Sequence, residues 1–249
     1  TTSPQSEKTK DLVSTLRDDV LVKYNDAGQA AHIAGVTAVF DDFSTLIAEK
    51  LPVFFAAVIL LSALLLMAVF RSILIPLKAV FMNLIGIFAA FGVTVAIFQW
   101  GWGLSLLGVS GTAPIMAFLP VMLFAIVFGL SMDYEVFLMS RVHEEWEKSG
   151  DAEYAVVEGL GSTAGVITAA AVIMISLFTS FAVLSSDLTN KLFGVALATT
   201  IFLDAFLIRS ALVPAVMAIM GEKAWWMPKW LDRIIPTLNV EPPEEQPES

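Results

Sequence analysis

The chain has 249 residues, of which 57% are hydrophobic and 15% charged, and its formal net charge is −10. A water-soluble domain carries about 25% charged residues, and several apolar runs here exceed the roughly 18 residues that mark a membrane helix. The composition therefore excludes an ordinary soluble domain. The lack of cysteine excludes disulfides and thiolate metal sites, and two distant histidines, His32 and His143, do not suit a metal centre, so no cofactor is expected.

Residues 1–50 form the polar portion. DLVSTLRDDVL, residues 11–21, predicts an amphipathic helix with Leu12, Leu16 and Val20 at helical spacing. Asn25–Gly28 has turn chemistry, and AHIAGVTAVF, residues 31–40, has the small and β-branched character of a strand. DDFSTLIAEK predicts a helix that starts at Asp41 or Asp42 and runs into the membrane without a break. So few residues make a poor independent core, which points to the end of a larger extramembrane domain.

Five membrane helices are predicted next, over about 51–70, 75–99, 116–140, 165–184 and 192–220. Arg71, Lys78, Arg141, Lys148, Lys223, Lys229 and Arg233 lie on alternate connections and the C-terminal flank, whereas the opposite short loops hold only Lys191. The positive-inside rule places residues 1–50, 100–115 and 185–191 outside the cytoplasm. Trp225, Trp226 and Trp230 suit an inner-face anchor, and PPEEQPES suits a disordered acidic tail. An outward N-terminal segment with no apolar leader needs something upstream to carry it across. The chain is therefore expected to be the C-terminal piece of a longer protein. Gly161, Gly165 and Ala169 form a stripe of small residues, expected to serve close helix packing.

Ionisable side chains fall inside these spans: Asp133 in the third, and Asp204 and Arg209 in the fifth. A carboxylate at mid-bilayer costs roughly 2.5–3.5 kcal/mol on insertion scales, so such groups mark proton relays, counter-ions or ligands. In GLSMDYEVFL, residues 129–138, Gly129, Asp133, Phe137 and Ser140 share one helix face, with Gly129 clearing space beside the carboxylate. Tyr134 points about 100° away and must find another partner. Asp204 and Arg209 are about 140° apart on a regular helix, so each is expected to pair across a helix interface. Glu135 is expected near the head groups, Lys78 is expected to snorkel, and Asn83 is expected to make a packing hydrogen bond.

FGLSMDYEVFLMSRVHEEW resembles the second Asp-Tyr membrane motif of the MMPL family, transporters of the RND superfamily. LDAFLIRSALVPAVM, residues 203–217, resembles the family's last membrane helix, and GEKAWWMPKWLDRIIP its exit into the cytoplasm. The resemblance covers most of residues 30–236. It implies an all-α polytopic membrane protein, with five transmembrane helices of an RND-type bundle preceded by the end of an α/β extracytoplasmic porter domain. The assignments that follow are 1–50 for the porter end and linking helix, 51–220 for the bundle and 221–249 for a cytoplasmic tail. The uncharged outer loop 101–114 is expected either to border the substrate path or, the favoured reading, to pack beneath the porter domain.

The resemblance also implies export driven by the proton-motive force across a bacterial inner membrane. Asp133 and Tyr134 match the second-half Asp-Tyr pair, which meets a first-half pair crosswise in the family. Asp204 and Arg209 match positions tied to the same proton path. The expected partners are protons, a lipid or other hydrophobic substrate, and the missing N-terminal half or a second chain; neither nucleic acid nor enzymatic turnover is expected. The rival readings are a non-transporting sensor or scaffold of the same fold and an intramembrane aspartyl protease using Asp133 and Asp204. The protease reading lacks a GxGD motif and would place Arg209 beside a shared-proton dyad.

Overall fold

The computed structural model describes residues 7–26, 31–109, 111–112 and 115–233, and among these the chain is helical with no strand. The tail and the second half of the 25–28 turn lie outside the described residues. The chain divides into two compact units, residues 1–55 with 116–121 and residues 56–115 with 122–249.

In the first unit, α1 (Glu7–Thr15) and α2 (Leu21–Asp26) are joined by a π-helical turn over Leu16–Val20. The wide turn breaks the 3.6-residue register. The expected apolar face is not the buried one: Val13 is covered, while Leu12, Leu16 and Val20 are exposed. The strand expected over residues 31–40 does not form, and Val36 instead opens α3 (Val36–Phe70). Strand preference comes from packing against neighbouring strands, and no partner strand exists among the described residues. Asp41 and Asp42 accordingly lie inside α3 rather than at its start, and the Asp42 carboxylate pairs with the Arg17 guanidinium at 2.5 Å.

The second unit holds the rest of the bundle: α4 (Leu74–Phe98), α5 (Leu119–Ser149, from Met122 on), α6 (Ala152–Leu184), α7 (Leu188–Phe202), and α8 (Val213–Met220). Leu203–Leu212, between α7 and α8, is π-helical. Among the described residues five helices are long and apolar enough to cross a membrane: α3, α4, α5, α6 and the continuous run Leu188–Trp225. α5 and α6 run past the apolar stretches that predicted them, and the Asp151 side chain fixes where α6 begins. It accepts from the backbone N–H groups of Glu153 and Tyr154 at 2.9 and 3.1 Å, satisfying donors that a helix start leaves unpaired. Asp187 does the same for α7, through Thr189 and Asn190.

Glycines set the closest approaches. A Cβ on Gly194 would lie 2.5 Å from the Ala182 nitrogen and 2.6 Å from the Phe178 carbonyl oxygen, so α6 and α7 touch backbone to backbone there. Gly159 lets α6 close on Val142 of α5, and Gly86 of α4 makes room for Ile208. The small stripe singled out in the sequence does something else. Gly161 and Gly165 are exposed with open space beside them, so the packing glycine of that segment is Gly159.

Phe98, Leu104, Ala182, Leu192 and Val195 form one core cluster, into which the short turn Leu104–Leu107 inserts Leu104. Lys191 donates to the Leu107 carbonyl and ties that turn to α7. At the other end, Ser72 donates to the Ala224 carbonyl at 2.5 Å, and Trp225 stacks against Trp146 and lies beside His143.

Candidate functional site

α5 carries four polar residues within five positions, and its geometry sorts them. Ser131 and Glu135 are one turn apart and buried, Tyr134 is half-buried, and Asp133 is exposed. Exposed Met122, Ala125, Gly129 and Phe137 share the Asp133 face, and a Cβ on Gly129 would meet nothing. This is the face predicted from the sequence, and nothing among the described residues covers it. The carboxylate thus stands in mid-span on an uncovered apolar surface.

Asp204 and Arg209 do pair with each other, at 2.8 Å between Oδ2 and Nη2, contrary to expectation. A separation of about 140° holds only for α-helical turns. The segment is π-helical, and a π-helix places residues five apart on one side. Ser210 shows the same register, its hydroxyl donating to the carbonyl of Ala205 at 2.7 Å. Pro214, which cannot donate to a carbonyl four residues back, follows directly.

Ser131 completes this cluster and was not singled out in the sequence. Its hydroxyl oxygen lies 2.5 Å from Asn83 Oδ1 and 3.0 Å from Asp204 Oδ1, and accepts from Arg209 Nη2 at 3.2 Å. The same Nη2 donates to the Ser131 carbonyl at 3.3 Å. Asn83 makes the interhelical packing hydrogen bond expected of it, and through Ser131 that bond joins it to the cluster. The Arg209 guanidinium also sits over the Tyr134 ring, 5.1 Å from its centroid, within cation–π range. Tyr134, Ser131, Asp204 and Arg209 line a cavity of about 20 Å³, otherwise walled by apolar side chains including Ile126, Leu130 and Ile167. That volume suits about one water molecule. Arg209 Nε and Nη1 are buried there without a hydrogen-bond partner among the described residues.

Two further expectations change. Lys78 does not snorkel and Glu135 does not reach the head groups: both side chains are buried, at 2% and 6% exposure, with Nζ and Oε1 2.6 Å apart. Each charge neutralises the other where water is scarce, and Lys78 also contacts Met139 Sδ at 3.5 Å. A signal was present in the sequence, because Glu135 is four residues from Ser131 on the buried face of α5. Asp133 is exposed while Asp204 is held by Arg209 and Ser131, so a two-carboxylate dyad is not assembled. Among the described residues no cluster of metal-ligating side chains occurs.

The MMPL family model matches residues 1–236. Relatives include a membrane protein of Bacillus subtilis, YdfJ, 39% identical over 240 residues, covering 96% of this chain and 32% of the relative. The mycolic acid-containing lipids exporter MmpL11 of Mycolicibacterium smegmatis is 39% identical over 219 residues, covering 87% of this chain and 23% of that protein. The heme uptake protein MmpL11 of Mycobacterium tuberculosis is 35% identical over 240 residues, covering 96% and 24%. The chain spans a third or less of the length of these relatives. With its five membrane-capable helices and this family match, the chain is a multi-pass membrane protein of the MMPL family.

Proposed function

We propose that the chain is the C-terminal part of a proton-driven exporter of lipids or other hydrophobic molecules, working in a bacterial inner membrane. One observation carries the reading: Asp133 stands exposed at mid-span of a membrane helix, back to back with the Tyr134, Asp204 and Arg209 cluster. A charge so placed costs roughly 2.5–3.5 kcal/mol on insertion scales unless it is protonated, paired or wetted. A complementary set of helices, from an N-terminal half or a second chain, would lie against Gly129 and Asp133 and supply the partner. A lipids exporter and a heme uptake protein among the relatives support a lipid or another hydrophobic cargo. Residues 1–50 would be extracytoplasmic and residues 221–249 cytoplasmic.

In this mechanism Asp133 takes a proton from the outer side, losing its charge and its hold on the partner. Arg209, held by Asp204 and stacked on Tyr134, keeps the cation beside the site fixed while Asp133 cycles. Each proton carries about 2.3 kcal/mol per 100 mV, sufficient for a two-state shift of order 50-fold. The test is export of a fluorescent phospholipid from vesicles under an imposed proton gradient, using the complete transporter. Asp133→Asn should abolish gradient-driven export, and undiminished export by that variant would overturn the reading.

A further inference from the structure

The Ser131 hydroxyl oxygen has three polar neighbours: Asn83 Oδ1, Asp204 Oδ1 and Arg209 Nη2. Arg209 donates into one lone pair. The other two contacts are oxygen to oxygen, and each needs a hydrogen between its atoms. Serine supplies one. The second comes from one of two places. If Asp204 is neutral, its Oδ1–H donates to Ser131 and the Ser131 hydrogen goes to Asn83 Oδ1. If Asp204 is charged, the Ser131 hydrogen goes to Asp204, and Asn83 must turn its amide so that Nδ2–H donates to Ser131. Asn83 Nδ2 is a buried donor without a hydrogen-bond partner among the described residues. Arg209 Nη2 on Asp204 Oδ2, at 2.8 Å, fits both states, since Oδ2 accepts in each.

We infer that Ser131 is a two-way hydroxyl switch that converts the protonation state of Asp204 into the orientation of the Asn83 amide on α4. Resting on the proton-coupled reading above, it adds Ser131 and Asn83 as positioning residues. The step balances: the Asp204 O–H bond breaks and its proton passes to solvent water, for one molecule of which the adjoining cavity has room, the Ser131 O–H reverses direction, and the amide turns by about half a revolution with no heavy-atom bond broken. The charged or titratable groups close by are Arg209 and Tyr134 at Asp204, and Lys78 with Glu135, paired with each other on the same α4–α5 seam. None of them supplies the hydrogen that Ser131 lacks. In the charged state every lone pair and hydrogen on the Ser131 hydroxyl is used, as buried polar groups require.

The test is infrared difference spectroscopy of the full chain in phospholipid vesicles, between acid and alkaline buffer. The carboxyl band is assigned by its loss in Asp204→Asn and the side-chain amide band by its loss in Asn83→Leu. In the unmodified chain the two bands should change together, with one midpoint. Ser131→Ala should leave the carboxyl band titrating and abolish the amide change, and Ser131→Thr, which restores a hydroxyl, should recover it. An amide band that ignores pH in the unmodified chain, or one that still follows Asp204 in Ser131→Ala, would overturn the switch. If the bands change together but Asp133→Asn still exports, the switch stands and the transport reading falls.

Discussion

Arg209 is buried within a run long and apolar enough to span a membrane, and its stability there depends on Asp204. Removing one member of a buried ion pair typically costs 3–5 kcal/mol, whereas replacing both with apolar side chains is close to neutral. Arg209→Met alone should therefore lower the thermal unfolding midpoint in detergent sharply, and Asp204→Leu with Arg209→Met should recover most of it. The same logic applies to Lys78 and Glu135. Lys78→Met should destabilise by about 3–5 kcal/mol and Lys78→Met with Glu135→Met by about 1 or less, read from denaturant titration. A double variant no more stable than the single would mean that the side chains act separately. Ser131, Asn83 and the Lys78–Glu135 pair were hard to read from sequence for a shared reason. Their importance lies in contacts across helices, and only same-helix spacing is visible in a string of residues.

At the scale of elements, apolar run length placed the five membrane helices, because length and greasiness alone decide whether a helix can span. Run length could not locate the π-helical turns over Leu203–Leu212, since they change no composition, only the register. The altered register is what brings Asp204 and Arg209 together within one helix. The strand expected over residues 31–40 fails for a different reason: its β-branched residues favour a strand only beside partner strands, and none occurs among the described residues. Backbone contact between α6 and α7 gives a test at this scale. Gly194→Val should put side-chain atoms into the Ala182 and Phe178 backbone and reduce folded yield in detergent severalfold. Gly165→Ala, facing open space, should leave yield unchanged and gain a little helix propensity.

For the whole molecule, the freedom from cysteine is an experimental asset. Single-cysteine variants at Trp102, in the turn after α4, and at Tyr154, at the start of α6, are both exposed positions. With Lys and Arg biased as they are, a membrane-impermeant maleimide should label Trp102→Cys in intact cells, and Tyr154→Cys only after lysis. The opposite pattern would invert the assigned orientation.

The lone carboxylate on the outer face of α5 also bears on how the chain enters a membrane. α3 is the most apolar of the five spans and α5 is among the two least. α3 can leave an insertion channel on its own. α5 brings Asp133 and Glu135, and among the described residues only Glu135 has a countercharge: Lys78 of α4, made earlier in the chain. Insertion of α5 is therefore expected to depend on α4, whose Lys78 neutralises one of its acids. Asp133 remains the charge whose cost is relieved last.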